Sequence, residues 1–103
     1  MFQEGKCWYV YILASKKNGT LYIGFTNSLL NRIHQYKTDY FQSFTSKYKV
    51  HFLVYFEIFS DPRVAINQET QLKRWKRVWK ISLIEEKNPY WRDLYPDIIN
   101  AYR

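Results

Sequence analysis

The apolar positions of this chain change period along its length, and each change marks an element. Trp8–Leu13 and Leu21–Phe25 are runs of β-branched and aromatic residues of strand length. Between them lies Ser15-Lys16-Lys17-Asn18-Gly19, where Asn-Gly supplies the positive φ of a hairpin turn. The period then lengthens. Asn27 and Ser28 offer N-cap side chains to a helix with Leu29, Ile33 and Tyr36 on one face. Thr38–Lys49 has no clear period and reads as a connector. His51–Phe59 returns to alternation, with Phe52, Val54, Phe56 and Ile58 on one face and His51, Leu53, Tyr55, Glu57 and Phe59 on the other. Both faces are largely apolar, which predicts a strand at the centre of the sheet. Asp61 and Pro62 start a helix that runs to about Trp75, buried through Ala65, Ile66 and Leu72. A further helix spans about Val78–Glu86 and ends at Asn88-Pro89. The tail, Trp91–Pro96, packs back through its aromatics, and from Asp97 a short helix and a frayed end fit equally well. The expected fold is an α+β sandwich over residues 1–103, a single domain in the order ββαβαα, with a small three-stranded mixed sheet flanked by helices.

Composition narrows the function classes. Hydrophobic residues make up 47% of the chain and aromatics 20%, which excludes a disordered, charge-dominated segment. The net charge of +7 favours a polyanionic partner, nucleic acid before an anionic membrane surface. A stretch of 18 consecutive apolar residues is absent, and Met1–Lys6 lacks the apolar run of a signal peptide. A single cysteine, Cys7, leaves no internal disulfide and no cysteine zinc cluster, so a reducing, cytoplasmic setting is expected.

The chemistry lies in the first three elements. Tyr11, Tyr22 and Arg32 sit on successive elements and can converge, and Arg32 and Tyr36 share a helix face through their i,i+4 spacing. Taken singly, each has an ordinary structural reading: sheet aromatics, a surface arginine, and Glu69 as a helix partner of Lys73. Taken together they form a pattern. Val10-Tyr11-Ile12 and Tyr22-Ile23-Gly24, followed by Arg32, resemble the GIY-YIG nuclease signature, with Val10 in place of the glycine of the first triplet. Glu69 resembles the family's metal-binding glutamate, and Asn88 the asparagine near the end of its small bacterial members. Tyr36 stands where several members have histidine. The resemblance covers about residues 7–95.

It implies a metal-dependent endonuclease acting on nucleic-acid phosphodiesters, DNA before RNA. Arg32 would clamp the phosphate. Glu69 would hold one divalent ion, Mg²⁺ or Mn²⁺, with Glu57 and Asp61 as weaker candidates for a second ligand. Tyr11 is expected to be the base and Tyr22 its partner or substitute, with nearby cations favouring phenolate. Tyr36, Gly24 and Asn88 complete the site. Lys16, Lys17, Lys47 and Arg74, with a helical stripe of Lys73, Lys76, Arg77 and Lys80 interleaved with Trp75 and Trp79, would meet the phosphate backbone; a solvated face with the tryptophans in the core fits the stripe equally well. Thr45, Ser46 and Tyr48 are candidates to add to these contacts, and a solvated connector whose aromatics pack on the sheet fits them at least as well. A nucleic-acid-binding module without turnover and a protein-interaction module in DNA repair remain alternatives.

Overall fold

Alternation in β1 (Trp8–Ala14) sends Tyr9, Tyr11 and Leu13 to one face and Val10, Ile12 and Ala14 to the other. All six are fully buried, so this strand is covered on both sides. The computed structural model describes residues 7–38 and 49–101. β1 pairs antiparallel with β2 (Leu21–Thr26) on one side and with β3 (Phe52–Phe59) on the other, giving the order β2-β1-β3. The expected mixed sheet is therefore wholly antiparallel, and β1, not β3, is its centre.

The apolar stretch in β3 has a different cause. The pairing of β3 slips at Val54, with Ile12 opposite Tyr55 but Leu13 opposite Leu53. That extra residue is a bulge, and a bulge reverses the alternation beyond it. Leu53 and Phe56 consequently join the Tyr11 side of the sheet, while Val54, Tyr55 and Phe59 join the Val10 side. The uninterrupted two-face alternation expected for His51–Phe59 does not hold.

The described helices are α1 (Leu29–Lys37), α2 (Pro62–Arg74), α3 (Arg77–Lys87) and α4 (Tyr95–Ala101). Leu29, Ile33 and Tyr36 of α1 and Ile98 of α4 cover the Tyr11 face; Ala65 and Leu72 of α2 and Ile84 of α3 cover the other. Ile66, expected in the buried stripe of α2, is 46% exposed. Asp61 caps α2 by accepting from the Arg63 N–H at 2.9 Å, and Pro62 opens the helix. At α1 the N-cap residue is Ser28, but its side chain makes no capping bond; Thr26 Oγ1 instead accepts from the Ser28 N–H at 3.0 Å. In the hairpin turn Asn18 takes the left-handed conformation at φ 59°.

The tail is tied down by polar contacts. Asp93 accepts from the Leu53 and Tyr95 N–H groups, both at 3.1 Å, and pairs with Lys37, whose ammonium also reaches the His51 carbonyl at 2.9 Å. The Leu94 N–H donates to the Leu53 carbonyl at 2.7 Å. Asn88, the buried C-cap of α3, donates from Nδ2 to the carbonyls of Val54 (3.1 Å) and Arg92 (2.8 Å), and its Oδ1 accepts from the Arg92 N–H (3.0 Å). Its amide thus joins the turn after α3 to the bulge of β3. Asn88→Ala is expected to cost about 1–3 kcal/mol, because it strips partners from main-chain groups at a buried position. Urea unfolding would show a lower midpoint with an unchanged slope.

Candidate active site

The antiparallel register places Tyr11 opposite Gly24. The Tyr11 ring lies where a Cβ on residue 24 would project, so only glycine leaves room for it. That close approach carries the hydroxyl to α1, where it lies 3.0 Å from the Tyr36 hydroxyl in a buried contact. Tyr22 meets the Tyr36 ring edge-on, with centroids 5.8 Å apart. Arg32, one turn before Tyr36, interacts electrostatically with both the Tyr11 and Tyr36 hydroxyls. Tyr11, Tyr22, Arg32 and Tyr36 therefore form one cluster, drawn from β1, β2 and α1.

Glu69 reaches this cluster from the opposite side of the sheet. Its helix, α2, covers the Val10 face, yet its charge acts on the Tyr22 hydroxyl. The two faces meet because β2 is an edge strand, and among the described residues no further strand separates Tyr22 from α2. A cleft of about 370 Å³ opens there, lined by Leu21, Tyr22 and Ile23 of β2 with Lys73 and Lys80. The Glu69 side chain is 18% exposed and pairs with Lys73 at 3.2 Å.

Burial governs the phenols. It pushes Tyr11 well above the ordinary phenol range, reinforced by Tyr36 and Tyr22, while Arg32 opposes the shift without cancelling it. The expectation that nearby cations favour a Tyr11 phenolate is thus reversed by desolvation. Tyr22, half-buried beside the cleft, is pushed up to about 12, by burial first, then by Tyr36 and Glu69. For Arg32, burial pulls the guanidinium down, but its tyrosine partners outweigh that and hold it above its ordinary value.

The remaining candidates fall in three groups. Asn88 lies at the end of α3 with its side-chain bonds made to main-chain atoms, as described above. Glu57 accepts from the Tyr55 hydroxyl at 2.8 Å and Asp61 caps α2, so both carboxylates are engaged elsewhere. Among the described residues no three His, Cys, Asp or Glu side chains gather into a metal cage. A hard divalent ion still fits Glu69, since such ions take oxygen ligands and keep several waters. Lys47, with Thr45, Ser46 and Tyr48, lies outside the described residues.

The basic stripe is real in charge but not in geometry. α2 ends at Arg74, Trp75 and Lys76 are extended, and α3 begins at Arg77, so no single helix carries Lys73 to Lys80. Arg77 instead donates to the carbonyls of Asn18 (2.8 Å) and Gly19, which fastens the hairpin carrying Lys16 and Lys17 to the start of α3. Lys76 lies over the exposed Trp79 ring, 5.9 Å from its centroid. Sequence reasoning missed this hairpin clamp. The Asn-Gly turn gives no sign of which residue its carbonyls will meet.

The family model of the GIY-YIG catalytic domain matches residues 7–82. The chain belongs to the GIY-YIG family. With Tyr11 closing the first triplet, as the family's name spells it, that triplet is Tyr9-Val10-Tyr11. The glycine's place is then taken by Tyr9, not Val10, and Tyr9 is buried on the same face as Tyr11. Similar proteins include the UPF0213 proteins of Staphylococcus haemolyticus, 34% identical over 77% of this chain and 95% of the relative, and of Clostridium perfringens, 38% identical over 78% and 85%. The solution structure of the UPF0213 protein BH0048 of Bacillus halodurans is also similar, at 26% identity and a TM-score of 0.54, covering 84% of this chain and 92% of that one. The fold is thus that of a small GIY-YIG domain.

Gly24→Ala would force the Tyr11 ring off β2. It is expected to cost about 1–3 kcal/mol, or a fall in Tm of about 4–8 °C per kcal/mol. In a Tyr11→Ala background most of that cost should vanish, and a thermal double-mutant cycle reads this coupling directly.

Proposed function

We propose that this chain is a metal-dependent endonuclease that hydrolyses nucleic-acid phosphodiesters, DNA in preference to RNA, with one divalent ion. The observation that carries the reading is the convergence of Arg32, Tyr11, Tyr22 and Tyr36, with the charge of Glu69 acting on Tyr22 and Tyr22 lining a cleft with Lys73 and Lys80. Membership of the GIY-YIG family supports it.

Arg32 is the anion-binding group. A guanidinium keeps its charge at any working pH, and its planar fork holds two phosphate oxygens at once. Its interactions with the Tyr11 and Tyr36 hydroxyls keep it beside them before substrate arrives, which lowers the cost of organising the site in the transition state. Water must lose a proton as it attacks phosphorus. Access favours Tyr22 over Tyr11 as the group that takes this proton: Tyr22 lines the cleft, whereas Tyr11 is fully buried with its hydroxyl on Tyr36. Tyr11 then acts as a positioning residue, holding Tyr36 and Arg32. A divalent ion on Glu69, Mg²⁺ or Mn²⁺, would supply charge neutralisation for the leaving oxygen. The ion's remaining ligands would be water and substrate oxygen. Lys16, Lys17, Lys73, Arg74, Lys76, Arg77 and Lys80 supply the charge that holds the backbone without reading sequence. The described helices include none long and apolar enough to cross a membrane, and a cytoplasmic setting suits a nucleic-acid substrate.

Labelled duplex, flap, branched and single-stranded DNA, with RNA alongside, test the reading in Mg²⁺, Mn²⁺ or chelator. Cutting is expected with metal only. Arg32→Ala should lower the rate by about 10²–10³-fold, the loss typical of one transition-state charge donor. Glu69→Ala should abolish cutting while circular dichroism stays native. Salt-sensitive binding without cutting would make the chain a binding module instead.

The pH profile tests the proton acceptor. With Tyr22 raised to about 12, its phenolate is scarce at neutral pH and grows about tenfold per pH unit below that value. The rate constant kcat/KM should therefore climb between about pH 7 and 9, with a logarithmic slope near one. Tyr22→Phe should flatten the slope; Tyr11→Phe should lower the rate and keep it.

A further inference from the structure

Lys73 occupies two places in the geometry at once. Its ammonium lies 3.2 Å from the Glu69 carboxylate, one helical turn back along α2, and its side chain also lines the cleft that exposes Tyr22. The two partners are unequally fixed. Glu69 is largely buried, with a side chain 18% exposed, whereas Lys73 is 55% exposed on a flexible four-carbon stem. A carboxylate of this limited exposure is favoured by a cation close by, and Lys73 is the cation paired with it. A divalent ion on the same carboxylate would repel the ammonium and displace it, and the open side of Lys73 is the cleft.

We propose that Lys73 couples the two ligands of the site: it neutralises Glu69 when no metal is present, and on metal binding it is released into the cleft, where it takes a backbone phosphate. This rests on the proposed role of Glu69 as metal ligand. The device makes nucleic-acid affinity depend on the ion, because the cleft gains a usable positive charge when the ion arrives. Linkage makes the effect mutual, so a phosphate that holds Lys73 in the cleft also strengthens metal binding. Lys80 lines the same cleft but faces no carboxylate among the described residues; its ammonium reaches the Lys73 carbonyl at 3.5 Å. Its charge is available whether or not metal is present, which makes it the natural control.

Two measurements on the full chain test the coupling. The first is calorimetric titration with Mn²⁺ alone, without nucleic acid. Lys73→Met should bind Mn²⁺ about two- to fivefold more tightly than the parent, the range that an ion pair of this exposure holds back. Glu69→Gln should lose the binding. The second is duplex-DNA affinity against salt concentration, in chelator and in saturating Ca²⁺. The parent and Lys73→Met should share one slope in chelator, and in Ca²⁺ the parent should be steeper by about 0.9, the release of one counterion. Lys80→Met should be shallower than the parent in both buffers. Lys73→Gln repeats both measurements with a different replacement, and circular dichroism checks each fold.

Mn²⁺ binding that is unchanged or weaker in Lys73→Met and Lys73→Gln, while still lost in Glu69→Gln, overturns the coupling and leaves the metal site standing. A slope difference of the same size in chelator and in Ca²⁺ overturns it too, since Lys73 would then bind phosphate independently of the ion. Mn²⁺ binding that survives Glu69→Gln removes the metal ligand itself, and the coupling fails with it.

Discussion

The contact on which the site depends is the one between the Tyr11 ring and the bare α-carbon of Gly24. Cross-strand partners on one face of an antiparallel pair compete for the same space, and two side chains would normally share it. Here one partner has none, so the ring lies across β2 rather than standing off it. That tilt delivers a hydroxyl from the centre of the sheet to α1, and with it come the Tyr36 hydroxyl and the Arg32 guanidinium. The glycine is required here for the space above it, not for backbone freedom.

Strand order then determines where chemistry can take place. β1 is the most buried strand and β2 one of the two edges, and the candidate site draws on both. The central strand holds a rigid, desolvated phenol that has little tendency to ionise. The edge strand offers Tyr22 to solvent and lets α2 bring Glu69 round from the other face. With one more strand beyond β2, the phenols and the carboxylate would be divided by the sheet. An exposed sheet edge is ordinarily an aggregation hazard. In this fold the space beside it is a cleft lined by Lys73 and Lys80, and charge at an edge also discourages pairing with another chain.

Local features were the most legible in the sequence, because short-range chemistry determines them. Asn18 takes the positive φ that Asn-Gly implies, Asp61 and Pro62 open α2, and Asn88-Pro89 closes α3. The failures arose where a pattern has more than one physical cause. Apolar residues on both faces of β3 suggested a central strand, yet the bulge at Val54 reverses their alternation, and the Asp93–Leu94 tail covers its start through Leu53. Ser28 holds the capping position without a side-chain cap, and its own N–H donates back to Thr26. The candidate site residues were legible as a set only through the family order in which they occur. Position along the chain brings Tyr11, Tyr22 and Arg32 together, but it does not carry Glu69 round the sheet edge.

Electrostatics was the least legible level, because burial rather than neighbour identity decides the sign. From composition, a tyrosine among cations should ionise more readily. In the fold, desolvation comes first for both Tyr11 and Tyr22, and Arg32 is a smaller opposing influence on each. The same logic separates the two phenols. They share Tyr36 and Arg32 as neighbours, so their difference comes from depth: one lies on the central strand and one at the edge. An arrangement of this kind gives a deep tyrosine the work of holding geometry and leaves a shallow one to meet water. Exchanging those depths while keeping every residue would preserve the motif and remove the distinction. In the proposed mechanism, therefore, it is the depth of each strand in the sheet, not the motif, that selects the proton acceptor.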